Sequence, residues 1–78
     1  MKEKQLELQD QILKAMLDRK EKLKAYMAVG SDNKERVEFM LADGKQVGLI
    51  TAYDIVYPSS GFILDIEQHL ANYEKGLK

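Results

Sequence analysis

An uninterrupted run of helix-forming residues opens the chain. The first 29 residues contain neither glycine nor proline, and Ala, Leu, Lys, Glu, Gln and Met dominate them. Because these side chains have high helix propensity, the run predicts one long helix over residues 1–29. Arg19 and Lys20 stand where its apolar stripe would carry a further apolar residue. The stripe has the helical spacings four, four, seven and four, and consists of Leu8, Ile12, Met16, Leu23 and Met27.

Charged residues of this helix are spaced to pair with one another. Asp10–Lys14 and Asp18–Lys22 are four residues apart with the acid first, which is the favourable order for a surface ion pair. The whole chain has 12 basic and 13 acidic side chains and a formal net charge of −1. This balance argues against duplex DNA as a partner, because non-specific DNA binding depends on a basic surface. The basic residues of the helix are therefore interpreted as part of a solvated face.

The last turns of this helix have a second interpretation. Leu23, Ala25, Met27 and Val29 occupy every second position, as apolar residues do in a half-buried strand. Residues 23–29 are therefore either helix or an edge strand that leads into a Gly-Ser-Asp-Asn turn. The continuous helix formers before them favour the helix.

The middle of the chain, residues 35–57, has the pattern of a β-hairpin. Apolar residues alternate in its first half, and Asp43-Gly44 matches the central pair of a type I′ turn, where both positions need positive φ. This turn would place Phe39 opposite Gly48, so that the aromatic ring covers the backbone that glycine leaves bare. Apolar residues on both faces of the predicted sheet indicate that both faces are covered.

The C-terminal part combines a helical signal with an ambiguous segment. Pro58 ends the second predicted strand, because proline cannot donate a ladder hydrogen bond. Residues from about 65 to 75 have the spacing and composition of a helix. Residues 62–66, Phe-Ile-Leu-Asp-Ile, fit either a strand or the start of that helix. Periodicity alone does not separate the two.

Together these elements predict an α+β fold in one small domain over residues 1–78. Its parts are a long N-terminal helix, a small antiparallel β-sheet built on the hairpin, and a C-terminal helix. A chain of this length buries only about 60% of the surface that it exposes when unfolded, so its stability margin is thin. It has no cysteine with which to form a disulfide, and association with itself or with a partner is the expected compensation.

Motifs of catalysis and of cofactor binding do not occur in the sequence. There is no Gly-rich phosphate loop, no nucleophile elbow and no metal-loop spacing, and the chain has a single histidine. We therefore expect no enzymatic activity, no cofactor and no metal site. No apolar run approaches the roughly 18 residues of a membrane span, and the charged N-terminus is unlike a signal peptide. The expected protein is soluble and cytoplasmic and has no membrane contact.

Apolar residues in excess of what so short a chain buries indicate a protein interface. The predicted function is a non-catalytic binding or regulatory module that acts through protein–protein contacts with another copy of itself or with a different protein. The residues expected at this interface are Ile12, Met16, Leu23, Met27, Met40, Val47 and Leu49.

Four segments also share the pattern of a known RNA-binding family. They are Leu8–Leu13 with its Leu-Gln-Asp helix opening, the strand and turn Val37–Gly44, the glycine-to-Tyr-Asp stretch Gly48–Asp54, and Ile66–His69. Together they resemble the bacterial Sm-like RNA chaperones of the Hfq type. The resemblance implies a strongly bent five-stranded sheet that is capped by a helix and closed into a ring of subunits.

The resemblance also implies that such a ring binds single-stranded RNA. Gln9 and Asp10 would lie near its RNA-binding face, and His69 would match the histidine of the family's Tyr-Lys-His element. Glu67-Gln68 stands where the family carries Tyr-Lys, so a stacking ring and a cation are missing from that element. Binding of single-stranded RNA is therefore the alternative function, after a protein–protein contact.

Overall fold

Three helices make up the described part of the chain. The computed structural model describes residues 2–29 and 33–76, apart from the side chains of Lys2 and Val29. The helices are α1 (Lys2–Val29), α2 (Asn33–Val56) and α3 (Ile66–Gly76). Within these two ranges there is no strand. The predicted α+β fold is therefore wrong, and the described structure is all-α.

The long N-terminal helix is where the sequence predicts it. It continues through Val29, so the alternative edge strand over residues 23–29 does not form. Both predicted ion pairs are present on its surface. Lys14 Nζ lies 3.1 Å from Asp10 Oδ2, and Lys22 Nζ lies 4.0 Å from Asp18 Oδ1. Local helix propensity and i,i+4 pairing were sufficient to predict α1.

The predicted β-hairpin is replaced by the single helix α2. Asp43-Gly44 lies in the middle of this helix and makes no turn. Its backbone does not have the positive φ that a type I′ turn requires, because Gly61 is the only described residue with positive φ. Phe39 and Gly48, expected to face each other across two strands, lie on opposite sides of the helix. The Sm-like sheet that the resemblance implies is likewise not present in the described residues.

The side of α2 that faces α1 explains why this segment is helical. Residues on this side recur at intervals of three, seven, four and four, which brings them to one face of a helix and not of a strand. Ala42 and Tyr53 are buried, and Leu49 and Tyr57 pack against the core. Burial of this face stabilises a helix in spite of the two glycines within it, each of which costs roughly 1 kcal/mol relative to alanine. The set is Phe39, Ala42, Leu49 and Tyr53, continued by Tyr57 directly after the end of α2.

The two charged residues that interrupt the apolar stripe of α1 connect it to the other helices. Arg19 Nε donates to Asp43 Oδ1 of α2 at 2.6 Å, and the guanidinium carbon lies 5.1 Å from the centre of the Phe39 ring. Lys20 Nζ lies 3.3 Å from Glu74 Oε1 of α3. The aspartate of the supposed turn is therefore an ion-pair partner in the α1–α2 contact.

The three helices run up, down and up. Gln9 of α1 contacts Tyr53 of α2, and Arg19 contacts Asp43, so sequence numbers rise along one helix as they fall along the other. α3 returns in the direction of α1, because its Glu74 pairs with Lys20. It is short, with 11 residues against 28 in α1, and of the other two helices it packs against α1.

A tight connection joins α2 to α3. Pro58 lies two residues after the end of α2. The proline ring clashes with the backbone of the preceding residue when that residue is helical, so a helix usually ends before a proline. Gly61 has a φ of 75°, a conformation that side chains with a Cβ rarely adopt. Residues 62–65 form turns, and the helix begins at Ile66, so the ambiguous segment is neither a strand nor a full helical turn. The predicted C-terminal helix over about 65–75 is confirmed by α3.

Gly48→Ala and Gly61→Ala are expected to change stability in opposite directions. Gly48 is helical with open space around its Cβ position, so alanine should raise the free energy of unfolding by about 0.5–1 kcal/mol. At Gly61 the positive φ should make alanine cost about 1–2 kcal/mol. Urea unfolding followed by circular dichroism, at low micromolar protein, measures both. A destabilising Gly48→Ala, at a concentration at which sedimentation equilibrium gives the mass of a single chain, would contradict the helical assignment of this segment.

Candidate protein-binding surface

The helix α2 has a second apolar side, turned away from α1. Lys34 and Glu35 lie in the first turn of α2, and from residue 36 onward the charged residues fall only at the two edges between this side and the core-facing side. Arg36, Asp43 and Asp54 lie along one edge, and Glu38 and Lys45 lie along the other. We call the charge-free set between these edges the outer face of α2. It consists of Val37, Met40, Leu41, Gly44, Val47, Gly48, Thr51, Ala52 and Ile55.

Large apolar side chains of the outer face are open to solvent. Leu41 is 70% exposed and Ile55 is 74% exposed, while Val37, Met40 and Val47 are each more than half exposed. At Gly44 and Gly48, no heavy atom of a neighbouring element lies within 4 Å of where a Cβ would stand, so no described part of the chain covers the helix there. Contiguous apolar surface of this kind is typical of an interaction site.

An open groove continues this surface beyond the end of α2. Its volume is about 480 Å³. One wall is the C-terminal part of α2, including Thr51 and Ile55 of the outer face, and the other is the segment before α3, where Leu64 is 90% exposed. Asp54 is the only charged residue in its lining. The groove is therefore apolar with one acidic side chain.

The residues that the sequence predicts at an interface differ in their exposure to solvent. Met27, Met40 and Val47 are exposed. Leu23 is half-buried, Met16 and Leu49 pack against the core, and Ile12 is fully buried and has no surface to offer a partner.

Three large side chains of the outer face, Val37, Leu41 and Ile55, are not among the residues that the sequence predicts at an interface. The strand interpretation places Val37 and Leu41 on the opposite face of the sheet from Val47, and it places Ile55 on the same face as Met40 and Val47 without assigning it to the interface. A helical wheel of residues 37–55 groups all of them with Val47, because they then fall between the charged edges.

The residues that the Sm-like resemblance singles out make contacts within the chain. Gln9 Nε2 lies 2.8 Å from the hydroxyl oxygen of Tyr53, and Asp10 is paired with Lys14. His69 packs edge-on against Phe62, with 4.9 Å between ring centres. Gln9 and His69 therefore both adjoin the Tyr53–Phe62 contact, and Asp10 lies apart from it in a surface ion pair. The Sm-like family itself stays a prediction, since none of these contacts tests it.

Tyr53 is the centre of the polar contacts between α1 and α2. The ring is fully buried, and the amide nitrogens of Gln5 and Gln9 lie 3.1 and 2.8 Å from its hydroxyl oxygen. Burial alone would raise the pKa of Tyr53. Hydrogen bonds with Ser60, Gln5 and Gln9 favour the phenolate, and together they lower the pKa below its ordinary value. Because Tyr53 has no exposed surface, its hydroxyl does not contact a dissolved ligand, and its hydrogen bonds join α1 to α2.

Comparisons with known proteins give no further guide to this surface. No protein-family model, no curated protein and no solved structure matches the chain. In the part of the chain that the structure describes, no three histidine, aspartate or glutamate side chains are grouped as they would be around a metal ion. None of the helices within residues 2–29 and 33–76 combines the length and apolar character that crossing a membrane requires.

Tyr53→Phe is expected to lower the free energy of unfolding by about 1 kcal/mol, because two half-buried amides lose their acceptor. Tyr57→Phe is the matched control. The Tyr57 ring also packs against the core, but its hydroxyl makes no hydrogen bond within the described residues. Urea unfolding of both variants gives the comparison, and equal effects of the two substitutions would contradict a structural role for the Tyr53 hydroxyl.

Proposed function

We propose that this chain is a non-catalytic binding or regulatory module that acts through a protein–protein contact at the outer face of α2. The observation that carries this proposal is the outer face itself, a charge-free strip along most of a 24-residue helix with large side chains such as Leu41 and Ile55 exposed. Apolar surface of this extent is costly to leave in water, and burial against a partner removes that cost.

The charges around the outer face favour protein over other partners. A surface for single-stranded RNA needs cations that follow the phosphates, whereas this strip has none, and its edges mix both signs. A helix that lies on a membrane typically has a polar face rich in lysine and arginine. The opposite side of α2 is instead apolar and covered by α1. A flat apolar strip between mixed-charge edges is the usual anatomy of a protein interface, with an apolar centre and a polar rim.

The proposal includes the cytoplasm as the place of action, in keeping with the lack of cysteine. The partner is a second copy of the chain or another protein. Binding of single-stranded RNA stays the alternative prediction, and the experiment below distinguishes the two.

Photo-cross-linking from the outer face tests this proposal. Leu41 is replaced by benzoylphenylalanine in the full-length chain, which is expressed in its natural host and irradiated. We expect covalent adducts with protein at this position, because Leu41 lies within the strip and is 70% exposed. The matched control places the same group at Lys24, an exposed position of α1 away from α2, and should give no such adduct. Adducts with nucleic acid alone, or none at Leu41, would contradict the proposal.

A further inference from the structure

We propose that the outer face is covered by a second copy of this chain, with the two α2 helices packed antiparallel about a two-fold axis. This inference rests on the proposed function, since it names the partner of the same face. Two observations carry it: the surface area that the single chain leaves exposed, and the distribution of charge and shape between the two ends of α2.

The exposed area matches what a dimer of this chain needs to bury. The chain exposes 5917 Å². A compact monomer of 8.9 kDa exposes about 4,800 Å² on the general scaling of surface with mass, so the excess is roughly 1,100 Å². A standard interface buries about 800 Å² on each partner. The excess is therefore sufficient for one such interface per chain, and five exposed large apolar side chains lie on the outer face.

The two ends of α2 are complementary to each other. At the C-terminal end lies the apolar groove with Asp54 as its only charge. At the N-terminal end, Arg36 lies beside Val37, a base next to an exposed apolar side chain. Neither Arg36 nor Asp54 makes an ion pair with any described residue. Arg36 and Asp54 therefore offer each other opposite charges, and Val37 offers an exposed apolar side chain to the groove.

The spacing of these residues selects an antiparallel arrangement. Arg36 and Asp54 are 18 residues apart, which is five helical turns and about 27 Å, so they lie on the same edge of α2. Within one chain they cannot meet. A two-fold axis near the middle of α2 brings Arg36 of each copy to Asp54 of the other and seats each Val37 at the other copy's groove. A parallel arrangement leaves the two charges about 27 Å apart.

The middle of the outer face allows the two helices to approach closely. Gly44 and Gly48 lie on either side of the expected axis, with open space where a Cβ would stand. The exposed side chains of Met40, Leu41 and Val47 surround them. Because a two-fold interface places the same patch on both partners, these side chains would pack against the glycine-lined centre of the other copy.

Sedimentation equilibrium of the full chain tests the inference first. We expect the mass to approach about 18 kDa, twice that of the 8.9 kDa chain, as concentration rises. Arg36→Glu and Asp54→Arg should each raise the dissociation constant of the dimer about three- to tenfold, because each replaces two symmetric attractions by repulsions. In the double variant the dissociation constant should lie within about twofold of that of the unaltered chain. Lys14→Glu, which breaks an ion pair on the surface of α1, should leave self-association unchanged.

Introduced cysteines test the direction of packing in a chain that has none of its own. Val37→Cys combined with Ile55→Cys should give disulfide-linked dimers when oxidised glutathione is the oxidant, since the antiparallel arrangement sets these positions opposite each other. Either cysteine alone should give none, because the two copies of one position are then about 27 Å apart. Circular dichroism checks that every variant keeps the helicity of the unaltered chain.

The outcomes separate this inference from the proposed function. A monomer at all concentrations, together with Leu41 adducts to a different protein, overturns the second-copy inference and leaves the protein-contact proposal standing. A monomer without Leu41 adducts overturns both. A dimer that the charge substitutions do not weaken, or one that the single Val37→Cys variant cross-links, overturns the antiparallel arrangement.

Discussion

The enclosure of one aromatic ring holds the described structure together. Tyr53 is fully buried, and its ring centre lies 5.1 Å from that of Tyr57 and 5.3 Å from that of Phe62. Its hydroxyl binds α1 through Gln5 and Gln9, and Phe62 continues the contact to His69 of α3. α1 and α2 therefore meet at this side chain, and α3 is joined to them through Phe62, in a core with few other fully enclosed residues. The orientation of α2 about its axis depends on Tyr53.

That orientation decides which residues of α2 are left in solvent. With Tyr53 and Ala42 turned inward, Leu41 and Ile55 must point outward, because a helix advances about 100° per residue. α3 is too short to cover this side, and it packs against α1 and the residues before it. The exposed strip is thus a direct consequence of how the core is built. Substitutions that enlarge the core would not remove it.

Local signals were sufficient for α1 and misleading for α2. α1 has strong helix formers and i,i+4 ion pairs, all readable within a few residues. In α2 the deciding contacts are between distant segments: Arg19 with Asp43, and Gln9 with Tyr53. An Asp-Gly pair between two segments rich in apolar residues is a strong hairpin signal only while such contacts are unknown. The candidate site was predicted in part, since the alternating pattern places Ile55 on one face with Met40 and Val47 but places Leu41 on the other.

The error has a physical cause that bears on function. Residues two positions apart lie on the same face of a strand, but on a helix a rotation of about 200° places them on opposite sides. Apolar residues at every second position, such as 37, 39 and 41, therefore fit either one face of a strand or a helix with two opposite apolar sides. Either secondary structure leaves a second apolar side that the chain itself does not cover. An uncovered second apolar side, which the hairpin and the helix share, is thus what favours a protein contact, and the helix adds the edge on which Arg36 and Asp54 lie.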